Sequence, residues 1–333
     1  MKYRKLGKSD LNASVVGLGT WVTGGGIVWG KNPDDNESIR AIQASIDAGV
    51  NLIDTAPAYG FGRSEEVIGK AIQGRRDQVI IATKCGLWTK DKRGSFFCEF
   101  DGRDMYRCLR PDTIREEVEM SLRRLGVDVI DLYQVHWPAI EPEKTPIAET
   151  MGCLMDLKAQ GKIRAIGVSN VCLDEMKEYE AHGVVDTNQP RYSMFCRGIE
   201  KDILPYCIDH RISTLSYMSL EQGLLTGKVT MDRQFDKNEW RSNEQWNPWF
   251  KPANRKRVLD LLASWKDLTV KYDCTLAQLA IAWTFHQPGV THVLCGARTQ
   301  TQAMDNAKAG SLALEPADVD RIRNEVIALG EPV

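Results

Sequence analysis

Eight short apolar runs alternate with amphipathic stretches from one end of this chain to the other. No other feature restricts its possible folds so strongly. The runs are Val15–Leu18, Asn51–Asp54, Gln78–Thr83, Val129–Val135, Arg164–Val168, Val185–Asn188, Ile212–Tyr217 and His292–Cys295. Between them, Glu37–Ala48 carries Ile39, Ile42 and Ile46 on one face and stops at Gly49. Pro111–Leu125 opens on a proline suited to a first helical turn and lines one side with Ile114, Val118 and Leu122. It ends at Gly126, as Glu143–Gln160 ends at Gly161. Eight strands each followed by a helix predict an α/β chain folded as a (β/α)₈ TIM barrel. No break in composition marks a second domain, so residues 1–333 are expected to form one. A doubly wound sheet would need G-x-G-x-x-G after its first strand. The chain has Gly17-Leu18-Gly19-Thr20-Trp21-Val22, with valine in the third glycine's place.

Three segments break the rhythm. Met1–Asn12 is expected to form a hairpin that plugs the barrel bottom. Gly86–Arg110, with Trp88, Phe96, Phe97 and Tyr106, reads as a long loop after the third strand. Lys228–Pro252, with Trp240, Trp246 and Trp249, reads as another after the seventh. Long loops rich in aromatic residues argue for ordered lids rather than disorder.

The formal net charge of -2 gives no electrostatic case for nucleic acid or an anionic membrane as partner. The nine cysteines are odd in number and scattered without a C-x-x-C pair, which argues for reduced thiols and a cytoplasmic setting. The five histidines do not cluster at metal-ligand spacing, so no metal is implied. No stretch approaches a membrane-spanning length.

Four chemical residues stand at or just after strand ends. Asp54 closes N-L-I-D, Lys84 closes V-I-I-A-T-K, His136 closes D-L-Y-Q-V-H, and Tyr59 follows in D-T-A-P-A-Y-G. In a barrel these positions face one mouth, where active sites gather. A carboxylate, an amine, an imidazole and a phenol together can move a proton on or off a carbonyl oxygen. A free phenol is a poor acid, with a pKa of about 10. A neighbouring ammonium is expected to lower that value, with the carboxylate keeping the ammonium charged and aimed.

The blocks G-L-G-T-W, L-I-D-T-A-P-A-Y-G-x-G-x-S-E, A-T-K, V-H-W, G-K-I-R-A-I-G-V-S-N and E-Q-G-L-L-T-G-K resemble the aldo-keto reductase superfamily, over nearly the whole chain. The resemblance implies a nicotinamide cofactor across the barrel mouth, with NADPH preferred and NADH possible. It makes Tyr59 the general acid in reduction, Lys84 and Asp54 its tuning pair, and His136 the group that orients the carbonyl. Ser169, Asn170 and Gln189 match positions that hold the nicotinamide carboxamide, and Tyr217 matches the aromatic stacked on its ring. Gly19, Thr20 and Trp21 fall among the cofactor-facing positions. Leu220, Gln222, Gly223, Leu225 and Lys228 match a loop around the pyrophosphate. Gly296, Arg298, Thr299, Gln302, Asp305 and Asn306 match the segment at the adenosine end, where Arg298 suits a 2′-phosphate. Trp21, Trp88 and Trp137, with Tyr59 and His136, are expected to wall a pocket for a small carbonyl compound or sugar. The Lys228–Pro252 loop is expected to fold over the pyrophosphate.

The chain departs from the family at Met218-Ser219, where Ser-Pro is common, and at Cys295, where proline often precedes the glycine. Three other readings remain open at this point: a Schiff-base aldolase using Lys84, a sugar dehydrogenase working in the oxidative direction, and a nucleotide-sensing subunit. A homo-oligomer is also possible.

Overall fold

A computed structural model describes residues 1–26, 29, 34–237 and 239–333. The chain opens on an antiparallel hairpin, β1 (Tyr3–Lys5) and β2 (Asn12–Ser14). The barrel begins with β3 (Val16–Gly19), β4 (Leu52–Asp54) and β5 (Ile80–Cys85). An inserted antiparallel sheet follows, made of β6 (Leu87–Trp88), β7 (Ser95–Phe100) and β8 (Arg103–Arg107). The barrel resumes with β9 (Ile130–Val135), β10 (Ile163–Ser169), β11 (Thr187–Gln189), β12 (Ser213–Ser216) and β13 (Val290–Gly296). These eight strands pair in parallel, and β13 returns to β3 to close the barrel. Each of the eight expected runs contributes one of them, with ends shifted by a few residues.

Helices pack around this barrel because their apolar stripes need cover. Pro111–Leu125 buries Ile114, Val118 and Leu125, and Gly126 ends it in the left-handed conformation that glycine adopts without penalty. Among the described residues, no helix is long and apolar enough to cross a membrane. All nine cysteines are free thiols.

Inside the barrel, Leu52, Ile80, Ala82, Leu132, Ala165, Leu215 and Leu294 form one buried cluster with Leu6, Leu11 and Ala13 of the hairpin segment. The N-terminal hairpin therefore plugs the barrel bottom, as the sequence predicts. Strand side chains alternate between faces, so residues two apart share one. Leu52 and Asp54, Ala82 and Lys84, and Leu132, Gln134 and His136 are such sets. The polar residues thus crown the columns whose lower members fill the barrel. That stacking puts the chemistry at the C-terminal mouth.

The Gly86–Arg110 stretch is a small sheet rather than an irregular loop. Phe96 pairs with Tyr106, and Phe100 with Arg103 across the turn at Asp101-Gly102. Those two residues have φ of 48° and 74°, the positive pair that a tight hairpin turn requires. Gly86 is tied down by its N–H, which donates to Glu117 Oε2 at 2.9 Å.

The Lys228–Pro252 stretch divides into two parts. Trp249 and Phe250 are buried, and Trp249 stacks on Phe195 with centroids 4.5 Å apart. Trp240 instead stands edge-on to Trp21 at 5.5 Å, with the 67% exposed Trp246 edge-on behind it. Asn247 accepts a hydrogen bond from Gln222 and donates to the Trp240 carbonyl, which ties the loop to the turn after β12.

Candidate active site

Lys84 lies at the centre of the mouth, with none of its surface exposed. Its ammonium donates to Asp54 Oδ1 at 2.6 Å, to the Thr55 carbonyl at 2.8 Å and to Tyr59 Oη at 3.3 Å. Three N–H groups and three acceptors leave nothing of the buried charge unsatisfied. Asp54 Oδ2 accepts from Gln134 Nε2 at 3.1 Å and from Gln189 Nε2 at 2.7 Å. Register explains the meeting: Lys84 is level with Gln134 across β5 and β9. His136 completes the set, its ring edge-on to that of Tyr59 at 5.7 Å.

Tyr59 is fixed through backbone contact rather than by its own strand. Gly60, at φ +64°, lies so close to Gly24 that an added Cβ would sit 2.3 Å from the Gly24 carbonyl oxygen. A Cβ on Gly24 would meet the Tyr59 carbonyl carbon at 2.5 Å. Only glycine at both positions lets the two backbones touch. Helix Arg63–Ala71 then starts directly after, and its Ser64 hydroxyl bonds those of Thr20 and Thr55.

The electrostatics correct one expectation. Burial pushes the Tyr59 phenol well above its usual value, and the Asp54 charge pushes it further. The ammonium does not reverse this, because its closest bonds go to Asp54 and the Thr55 carbonyl. Burial also holds Lys84 below its usual range, while Asp54 and Glu65 pull it back. His136 is held well below the ordinary histidine value by burial and by the charges of Lys84 and Arg107. At neutral pH the mouth therefore offers a protonated phenol beside a neutral imidazole. The phenol accepts from Lys84 and keeps its own proton to give outward.

The other expected residues are distributed as follows. Ser169 Oγ donates to the Gln189 carbonyl at 2.7 Å, and Asn170 Nδ2 donates to the His136 carbonyl at 3.0 Å. Tyr217 Oη donates to Asn170 Oδ1 at 2.7 Å, so its ring borders that amide cluster. Trp21 lies almost parallel to Tyr59 with centroids 6.1 Å apart, and Trp137 packs with Phe97 at 6.0 Å. Met218, Glu221, Gln222 and Gly223 all have positive φ, and the Glu221 and Gly223 N–H groups donate to the Met218 and Leu220 carbonyls within this turn. Lys228, Gly296, Arg298 and Gln302 are exposed around the rim, and Leu220 is half-buried. Thr299 caps helix Gln300–Lys308 by accepting from the Gln302 N–H, and Asn306 donates to the Gly296 carbonyl.

Burial corrects one expectation, and three further residues are already engaged within the fold. Trp88 is 1% exposed beneath the inserted sheet, its indole N–H bonded to Asp91, so it does not wall the pocket. Thr20 spends its hydroxyl on the Asp54 carbonyl and Ser64, and thus holds the end of β4. The Leu225 side chain is fully buried in the core behind the mouth. Asp305 is bonded to Gln278 and Thr275 of the neighbouring helix start. Gln134 and Thr55 were missed. Gln134 was findable, since it shares a strand face with His136.

The donor set suits a dinucleotide: an amide and hydroxyl cluster beside an aromatic ring, with the exposed cations Lys228 and Arg298 beyond it. The sequence profile of the aldo/keto reductase family matches residues 15–326, and the chain belongs to that family. It is 42% identical to the NADH-specific methylglyoxal reductase of Escherichia coli (strain K12), over 99% of each chain. It is 40% identical to the aldo-keto reductase YhdN of Bacillus subtilis (strain 168), covering 98% of this chain and 95% of that one. Among solved structures it resembles the glycerol dehydrogenase AKR11B4 from Gluconobacter oxydans, with a TM-score of 0.87 and 38% identity over 99% of this chain and 96% of that one. The protein is an NAD(P)H-dependent enzyme.

Proposed function

We propose that this enzyme reduces the carbonyl of small aldehydes, ketones or oxo-sugars to alcohols, with Tyr59 giving the proton to the carbonyl oxygen. The observation that carries this reading is the Asp54–Lys84–Tyr59 chain of 2.6 Å and 3.3 Å, with His136 against the phenol ring. The nicotinamide, when bound, supplies the hydride. Tyr59 donates to the developing alkoxide while His136, neutral, hydrogen-bonds the same oxygen and orients it. Lys84 stabilises the phenolate left behind, and Asp54 holds Lys84 in place. Ser169, Asn170 and Gln189 would grip the carboxamide beside the Tyr217 ring. Trp21 and Trp137 would enclose the substrate and exclude water. The name of the Escherichia coli relative supports a reactive small aldehyde such as methylglyoxal.

A second reading, alcohol oxidation, draws on the likeness to a glycerol dehydrogenase. The same groups run the reaction backward, with the phenolate as base. The raised phenol keeps its proton at neutral pH, so oxidation would need a higher pH to reach the phenolate.

Arg298 supports NADPH as the preferred cofactor. It is exposed at the rim near Arg233 and the Arg241–Glu239 ion pair, and its own guanidinium would pair with a 2′-phosphate. The similarity to an NADH-specific enzyme weighs on the other side. Arg298→Ala should weaken NADPH binding about ten- to a hundredfold more than NADH binding. Fluorescence titration with both cofactors checks this. Equal weakening would assign Arg298 to adenine stacking and make NADH the preferred cofactor.

A further inference from the structure

Beside the mouth stands one arginine with no task in the chemistry above. Arg107 ends β8 of the inserted sheet, level with Ser95 of β7 and Leu87 of β6. Its guanidinium lies 4.2 Å from the Phe97 ring centroid and 4.7 Å from that of Trp137. Trp137 directly follows His136, so the inserted sheet delivers this cation to the edge of the reaction centre. Arg107 is near enough for its charge to act on His136.

Nothing balances that charge. Among the described residues, no carboxylate forms an ion pair with Arg107, and its Nε is buried without a hydrogen-bond partner. The acidic groups whose charge acts on it are Cys98 and Glu175. Glu175 already accepts from the Cys172 N–H at the start of its own helix. Of the other arginines in the insertion, Arg93 joins Asp91, Asp112 and Glu116, whereas the exposed Arg103 lies over the Phe61 ring. The buried Nε of this half-buried guanidinium lacks an acceptor, which costs stability unless a ligand supplies one. The rings fix its plane, which suits a group with two oxygens to offer.

We propose that Arg107 is a specificity-determining residue that binds an anionic group, a carboxylate or a phosphate, carried by the carbonyl substrate. The proposal rests on the reductase reading above and narrows it to oxo-acids or phosphorylated aldehydes. Both anions present the paired oxygens that the guanidinium lacks, so substrate chemistry distinguishes them.

The test compares pairs that differ by the anionic group: 4-oxobutanoate with butanal for the carboxylate, and glyceraldehyde 3-phosphate with glyceraldehyde for the phosphate. The wild-type enzyme should prefer the anionic member of at least one pair by about ten- to a hundredfold in kcat/KM, mainly through KM. In Arg107→Gln that ratio should collapse toward one, while Arg107→Lys should keep part of it. Thermal melting confirms that each variant folds. If Arg107→Gln does not, the wild-type ratios and Arg107→Lys decide alone. A wild-type enzyme active on the neutral members but indifferent to the anion overturns this proposal and leaves the reductase reading intact. So does a preference that survives Arg107→Gln. No activity on either member of either pair removes both.

Discussion

Tyr59→Phe is expected to lower kcat for carbonyl reduction by about 10²–10⁴-fold, the usual contribution of a positioned general acid. The ring stays, so its near-parallel packing on Trp21 at 6.1 Å stays with it, and cofactor affinity should barely move. The hydroxyl is lost, and with it the proton for the substrate oxygen and one of the three acceptors of Lys84. The pH profile should carry the same signature. Because burial raises the phenol well above its ordinary value, the acid form persists through neutral and mildly alkaline pH. Reduction should therefore stay level across that range, whereas oxidation, which needs the phenolate, should rise with pH. Steady-state kinetics in both directions reads both effects. Near-normal turnover in the variant would take the acid role away from Tyr59.

Lys84→Met should damage both stability and rate. It leaves the Asp54 carboxylate buried with only the Gln134 and Gln189 amides against it. Breaking a buried ion pair from one side costs about 3–5 kcal/mol, which denaturant unfolding would detect. The rate should fall by about the factor that general acid catalysis supplies, since the phenolate formed in reduction loses its counter-charge. Removing Asp54's charge as well, in Lys84→Met/Asp54→Asn, separates the two losses. With no uncompensated charge left, part of the stability should return while the rate stays low. A double variant that recovered both would make the pair purely structural.

Much of this architecture was legible because barrels announce themselves by alternation. The two-residue period of β4, β5 and β9 put Asp54, Lys84 and His136 on interior columns, and the strand ends put them at one mouth. The same period would have yielded Gln134. What was not legible depended on contacts remote in sequence. Trp88 looked like a pocket wall because it follows β5, but Tyr106 of the inserted sheet and Cys108 just beyond it cover it. That sheet carried its own signal in Asp101-Gly102, between two stretches rich in aromatics. The direction of the Tyr59 shift was misread because the charge count near the phenol was visible and the degree of burial was not. Thr20 and Asp305 carried motif-like positions, yet their hydrogen bonds are spent within the fold. No local pattern records that.

The central claim is that hydride passes from the nicotinamide to the substrate's carbonyl carbon while Tyr59 protonates the oxygen. Reduced cofactor carrying deuterium at the transferring position of nicotinamide C4, incubated with methylglyoxal in ordinary water, tests it directly by mass spectrometry and NMR of the product. The account predicts one deuterium bound to the new carbinol carbon, formed in step with cofactor oxidation. Product formed without carbon-bound deuterium, or cofactor oxidised without alcohol appearing, would contradict it.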